Sequence, residues 1–280
     1  MIECRKNTNK VSPSCVCQIC EGQDFKFVCE KSGFKYVECA SCGVVRQYPY
    51  PTDEEIKHYY RTYKSIKQKE SPYLSDSYYE TYCMEKKLTF SDLRFSLDEF
   101  KDKRVLDVGC AVGQFIQFLS DKGTVDVSGI DISEEVIAIA KVVKGLNCRL
   151  ADFLTIEGEF DIITMWHLVE HLVEPLSFFE HAYHRLIAGG YLIVETPVVG
   201  IISRAFGENW RYLIPVEHVN LFSQNALFNV VTSTGFSIKS WVRFGSGNDS
   251  GKLPAPNKKA MDSIAKQLAF GDTLCVCFVK

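Results

Sequence analysis

Two cysteine pairs, a set of histidines and an ordered series of carboxylates are the residues of this chain best suited to chemistry. Cys17-Gln-Ile-Cys20 and Cys39-Ala-Ser-Cys42 are two C-x2-C knuckles. Each knuckle places two thiolates on one side of a tight turn, and two such turns facing each other make a tetrahedral S4 site that suits Zn²⁺. Gly22 and Gly43 follow the knuckles, where backbone freedom lets the thiolates converge. Four cysteine ligands leave no open coordination position, so the zinc is expected to be structural rather than catalytic. Cys15 and Cys29 are spare thiols nearby. The alternative reading is four buried thiols without a metal.

The carboxylates follow a different logic. Arg104-Val-Leu-Asp-Val-Gly109 has the pattern of a buried strand and runs through Cys110-Ala-Val-Gly113 into a helix beginning Gln114-Phe-Ile. Small residues at Gly109, Ala111 and Gly113 allow a ligand to approach the backbone at the helix start. A second strand, Val125 to Asp131, ends on a carboxylate about 20 positions further on, able to accept hydrogen bonds from both hydroxyls of a ribose. A third leads to Ala151-Asp152-Phe153, where a carboxylate could meet an adenine amine and a ring could stack on the base. A fourth runs from Phe160 to Met165. All these ends fall at the carboxyl edge of a parallel sheet, where open α/β sheets bind ligands.

His167-Leu-Val-Glu170-His171 spells the H-x-x-E-H pattern of zinc proteases. That chemistry needs both histidines on one helical face. Here the segment leaves a strand, and a helix starts only at Pro175, so the residues are read as a loop. His171 and His218 are the candidate general bases, with His167 behind them, since imidazole titrates near neutral pH. Between Thr196 and Phe222 lies a long segment with Trp210, Arg211 and Tyr212. A long aromatic loop over the ligand edge reads as an acceptor lid, with Arg211 a partner for phosphate or carboxylate. A local hydrophobic cluster is the alternative. The Tyr-rich stretch 73–82 is expected to form the opposite wall.

The elements that must hold these residues fall into three textures. Residues 1–50 form a zinc-ribbon-like segment with short β runs. Residues 51–103 form a helical linker or cap, with a helix start at Pro51-Thr-Asp-Glu-Glu55 and a longer helix from about Ser75 to Phe100. Residues 104–280 alternate strands and helices, the mark of an α/β fold. Strands are expected at 104–109, 125–131, 147–150, 160–165, 190–196, 236–244 and 272–279, and helices at 113–122, 134–144, 175–187 and 223–234. The fold class is a Rossmann-like α/β fold with a seven-stranded, mostly parallel sheet. The composition, 46% hydrophobic and 24% charged with a net charge of -3, is that of a globular chain and argues against nucleic acid as the partner. The twelve cysteines come without an apolar leader after Met-Ile-Glu-Cys-Arg-Lys, so metal binding and buried thiols fit better than disulfides, and a cytoplasmic location is expected. No apolar stretch reaches the length of a membrane span.

The series Asp107, Gly109-Gly113, Asp131 and Asp152, with Glu170-His171 after the fourth strand, resembles the class I methyltransferases that use S-adenosylmethionine (SAM). The resemblance implies that Asp107, Gly109, Ala111 and Gly113 line the methionine side of SAM. Asp131 and Ile132 would hold its ribose, Asp152 and Phe153 its adenine, and Met165 belongs to the same set. Ala111 stands where that family usually has glycine. The knuckles, Tyr48-Pro-Tyr-Pro51 and Glu217-His-Val-Asn-Leu-Phe222 further resemble bacterial methyltransferases with a zinc ribbon, several of which act in sugar, surface-polysaccharide or natural-product pathways. The resemblance implies a small-molecule acceptor. Two other readings stand beside it: an RNA or protein methyltransferase that grips its substrate with the ribbon, and a SAM-binding protein without catalysis.

Overall fold

A computed structural model describes residues 16–52, 54–56, 58, 59, 75–247 and 255–280. Cys15 and Tyr73 lie outside these residues. The strands are β1 (Phe25–Lys31), β2 (Phe34–Cys39), β3 (Val45–Tyr48), β4 (Val105–Val108), β5 (Val127–Asp131), β6 (Cys148–Leu150), β7 (Phe160–Trp166), β8 (Leu186–Val199), β9 (Asn220–Ser223), β10 (Ser237–Phe244) and β11 (Thr273–Val279).

All seven strands expected after Arg104 are present. They run β6-β5-β4-β7-β8-β11-β10, parallel except for β11, which pairs antiparallel with both β8 and β10. The apolar runs are nearly continuous because helices cover both faces. Neighbouring residues of one strand face opposite cores. Leu192, Val194, Leu274 and Val276 join the core built with the helices Pro175–Arg185 and Gln224–Ser233, while Ile193, Cys275 and Cys277 join the core of Phe90, Phe115 and Phe118.

The sheet does not stop at seven strands. β9 lies parallel to the far end of β8, Val198 opposite Phe222, and antiparallel to β3, Val45 opposite Leu221. Through β9 the ribbon hairpin β1-β2-β3 becomes part of one eleven-stranded sheet. Residues 16–50 are therefore no detached module: their last strand is bonded to the segment that carries His218.

Several helix expectations need adjusting. The helix Asp76–Asp92, capped by Ser75, ends well short of Phe100 because Arg94 turns into the left-handed region (φ +52°), and only a short 3₁₀ turn, Leu97–Phe100, follows. Thr52 and Glu55 form the expected helix start as a capping box, with Thr52 N donating to Glu55 Oε2 (2.8 Å) and Glu55 N to Thr52 Oγ1 (3.2 Å). The segment after Thr196 is not one loop. It continues β8 to Val199, forms the helix Ile201–Phe206, and returns as β9. The helix Ala255–Gln267 was not expected. Among the described residues no helix is long and apolar enough to cross a membrane.

Candidate active site and cysteine cluster

The order of the strands reverses between β4 and β7, which makes their carboxyl ends the topological switch point of the sheet. The loops 109–113 and 167–171 leave the sheet there, side by side. Gly109 and Gly113 adopt φ of +72° and +77°. Gly113 is the residue from which the helix Gln114–Ser120 starts, and its left-handed conformation is one that glycine takes freely. The loop's amides are committed inward. Gly109 N and Cys110 N donate to Ile130 O (2.9 and 3.0 Å), and Ala111 N donates to Asp131 Oδ2 (3.1 Å). Asp131 thus sets the loop while remaining half-buried at the sheet edge, with Oδ1 accepting from Ser133 N (2.8 Å).

Ala111 sits at φ +46°, a conformation that costs a residue with a Cβ about 1 kcal/mol relative to glycine. Its side chain is exposed, so no packing offsets that strain. Ala111→Gly should therefore raise the unfolding free energy by about 1 kcal/mol in urea titrations while the amide bond to Asp131 survives. Destabilisation by the glycine would contradict this reading of the loop.

The other expected cofactor residues divide by the direction of their side chains. Ile132 is 81% exposed, a bare apolar group directly after Asp131. Asp152 is exposed and caps a 3₁₀ turn by accepting from Leu154 N (3.0 Å). Asp107 is buried below the loop, where Thr164 Oγ1 donates to it at 2.7 Å; burial lifts its pKa to about 7 against the pull of that bond and of Lys86. Phe153 and Met165 need correction. The ring of Phe153 packs in the core against Phe178 and His181, and Met165 is fully buried, so neither side chain faces the edge. They can offer a ligand their backbone alone.

A chain of charges that the sequence did not reveal, buried at Lys86, Glu170 and Glu195 and opening to the surface at His167 (side chain 40% exposed), runs behind the second loop. Lys86 Nζ donates to Glu195 Oε1 (2.8 Å) and lies 3.6 Å from the centre of the Trp166 ring. His167 stands between two carboxylates, with Nδ1 3.1 Å from Glu170 Oε1 and Nε2 3.5 Å from Glu195 Oε1. Burial opposes its charge, yet the two carboxylates lift its pKa to about 9. Burial likewise pushes Glu170 and Glu195 up, but their cationic neighbours hold both at about 2. Thr196 Oγ1 donates to Glu170 Oε2 (2.9 Å). His167 is consequently an imidazolium at neutral pH and is removed from the candidate bases. Glu195 had one local signal, a charge inside the apolar run Tyr191 to Thr196. Lys86 had none, being one of several charged residues in a row.

The fold brings the two candidate bases, His171 and His218, together, their rings 4.8 Å apart and nearly perpendicular. His171 Nδ1 bonds Glu217 O (2.9 Å), and His218 Nδ1 bonds Tyr212 O (2.7 Å). A carbonyl only accepts, so each Nδ1 carries a proton, and Nε2 is the atom left to accept in the neutral ring. Burial pulls the pKa of His218 below its ordinary value and keeps it neutral. The ribbon supports this arrangement: Gln47 Oε1 accepts from Val216 N (2.7 Å), and Tyr50 OH donates to Asn220 Oδ1 (2.9 Å). Tyr59 OH donates to the Glu217 carboxylate.

Beside His167 and Glu195 opens a cavity of about 590 Å³, whose walls include Lys86, Thr89, Arg211 and Tyr212. The opposite wall comes from the later turns of helix 76–92, through Lys86 and Thr89, and not from the tyrosines of the expected stretch 73–82. Arg211 and Tyr212, expected to belong to an acceptor lid, line this cavity, and Arg211 pairs with Asp272 (3.3 Å). Trp210 is corrected: it is 2% exposed, and Nε1 donates to Asp272 Oδ2 (2.9 Å), so it anchors the segment from within.

At the other end, the Sγ atoms of Cys17, Cys20, Cys39 and Cys42 all lie within 4.8 Å of one another. Cys17 and Cys42 are 3.6 Å apart, as are Cys20 and Cys39. Tetrahedral Zn–S bonds of ~2.3 Å would place sulfurs about 3.8 Å apart, so the cluster fits zinc. A Cβ at Gly22 would come within 3.2 Å of Cys39 Sγ and 2.7 Å of Ser41 Oγ, which explains the glycine there. The spare Cys29 lies on β1, away from the four.

A family model described as a methyltransferase domain matches residues 76–240. The chain belongs to that family. A ubiquinone biosynthesis O-methyltransferase of Coxiella burnetii is 33% identical over 127 residues, covering 42% of this chain and 52% of the relative. The chain spans about half the length of the curated relatives it matches. Among solved structures, the magnesium protoporphyrin IX methyltransferase of Synechocystis PCC 6803 with bound SAH superposes with a TM-score of 0.54 at 15% identity, covering 82% of this chain and all of that one. A SAM-dependent methyltransferase of Mesorhizobium loti gives 0.50 at 17% identity, over 67% of this chain and all of its own. At these identities the structures establish the fold, that of class I methyltransferases. The match begins at Ser75's helix and so leaves out the ribbon.

Proposed function

We propose that the chain transfers a methyl group from SAM to a small-molecule acceptor, a nucleotide-linked sugar or a related polysaccharide or natural-product precursor. The observation that carries this reading is the Asp131-set loop 109–113 at the β4/β7 switch point, packed beside the loop 167–171 (Gly109 against Leu168) whose His167 lines the cavity together with Tyr212. When bound, SAM supplies an electrophilic methyl group on its sulfonium. Asp131 would accept from the ribose hydroxyls with the lone pairs that Ala111 N and Ser133 N leave over. Ile132 would lie with Asp131 against the ribose, and Asp152 would accept from the adenine amine. The loop Gly109–Gly113 would admit the methionine part because no large side chain stands on it.

Acceptor activation falls to the Nε2 lone pairs of His171 and His218. Zinc would be held by the four cysteines, where it would fix β3 and, through β3, the His218 segment. The curated relatives named as O-methyltransferases favour oxygen as the methylated atom. The near-balance of charge in residues 1–103 weighs against the ribbon as a grip on RNA.

The test is incubation with SAM across a panel of nucleotide sugars and other metabolites, followed by mass spectrometry. The expected result is S-adenosylhomocysteine together with an acceptor heavier by one methylene unit. His171→Ala and His218→Ala should each cut turnover by 10²-fold or more, the usual order for losing a positioned proton-handling group. Full turnover in both would remove the histidines from the mechanism. SAM binding without turnover on any acceptor would leave the non-catalytic reading in its place.

A further inference from the structure

The H-x-x-E-H pattern pairs two histidines of one segment, but the fold groups different residues. His167 is occupied at both ring nitrogens by Glu170 and Glu195. Glu170, His171 and the distant His218 instead bring a carboxylate oxygen and two imidazole nitrogens within 4.8 Å of one another. We propose that Glu170, His171 and His218 form a second metal site, binding a first-row divalent cation at the acceptor edge.

The geometry supports a site rather than a chance meeting. Each imidazole gives its Nδ1 proton to a backbone carbonyl, at Glu217 and at Tyr212, which orients Nε2 as a donor; metal-bound histidines are regularly fixed this way. Glu170 is fully buried and braced by Thr196 and His167. The two segments are locked together by Val219 N donating to Glu170 O (2.9 Å). Donor atoms around such an ion stand roughly 3.0–3.4 Å apart, so side-chain rotation closes the remaining gap. Two imidazoles and one carboxylate select zinc, iron or manganese over magnesium and calcium. Three protein ligands leave open positions, and the half-exposed His171 marks the side from which an oxygen donor of the acceptor can reach them.

The inference rests on the assignment of His171 and His218 to acceptor activation but changes how they act: an Nε2 lone pair that holds a cation cannot also take a proton, so the rings would act as ligands, and the cation would polarise the acceptor oxygen. Manganese is the suitable probe because it disfavours the thiolates of the cysteine cluster. Titration of the zinc-replete full chain with Mn²⁺, followed by electron paramagnetic resonance, should reveal one tight site per chain. His171→Ala, whose half-exposed side chain leaves no sealed void, and His218→Gln should each weaken it by tenfold or more. Asp131→Ala should bind Mn²⁺ as the wild type does. No tight site in the wild type, or equal binding in both histidine variants, overturns the proposal. Failure of the methyltransferase reading would show separately, as absent SAM binding in calorimetry with Mn²⁺ binding intact.

Discussion

Asp131→Ala is expected to weaken SAM binding by roughly a hundredfold or more. The carboxylate stands at the end of β5, half-buried, with capacity to accept two hydroxyl protons beyond its bonds to Ala111 N and Ser133 N. Hydrogen bonds to a charged group contribute about 1.5–3 kcal/mol each, and losing two amounts to a factor of 10² or greater in affinity. Part of the effect would come through the loop, since Ala111 N loses its acceptor. Asp131→Asn separates the two contributions. It keeps one carbonyl oxygen for the loop but replaces the other acceptor with a donor, so it should fall between wild type and alanine. Calorimetric titration with SAM reads the effect directly, and unfolding curves check that the fold persists. An unchanged dissociation constant in Asp131→Ala would mean that the ribose does not sit at this edge.

The parts of this site that could be read from the sequence were those written in local patterns. The strand Val105–Val108 and its small-residue loop, the carboxylate ending β5, and the paired cysteines each occupy a few consecutive positions. Their spacing reports geometry directly, because strand ends share one edge of a parallel sheet. Trp210, Phe153 and Met165 were misread because an apolar residue beside a binding residue looks the same whether it faces the ligand or the core; for Met165, on β7, one position along the strand reverses the face, while Phe153 and Trp210 lie at 3₁₀ turns with no period to show their direction. The buried pair Lys86–Glu195 joins residues 109 apart, and neither periodicity nor composition records such a meeting. β9 was hidden for a third reason. Its four residues, Asn220 to Ser223, are too few to show alternation, and their place depends on two partners, β3 and β8, from distant parts of the chain.

β9 also decides what removing the proposed zinc should do. Were the ribbon a separate module, Cys39→Ser would unfold residues 16–48 and leave the rest intact. The structure instead runs β3 into the main sheet, with Gln47 holding Val216 and Tyr50 holding Asn220. Cys39 ends β2, and its backbone closes the knuckle by donating to Val44 O (2.9 Å), just before β3. Loss of one thiolate opens the S4 set, and the metal's contribution to folding goes with it. At a zinc concentration a thousandfold above its dissociation constant, that contribution is about 4 kcal/mol. Cys39→Ser should therefore bind far less than one zinc per chain by elemental analysis and unfold at markedly lower urea. Amide exchange should rise in β1 to β3 and also at Val216 to Phe222, while β4 and β5, which share no bond with the ribbon, keep their protection. Because His218 lies in the loosened stretch, acceptor turnover should fall much more than SAM affinity. Exchange confined to residues 16–48 would show that β9 is held by β8 alone and that the ribbon does not support the acceptor side. Full stability in a zinc-free Cys39→Ser chain would show that the four thiols fold without a metal.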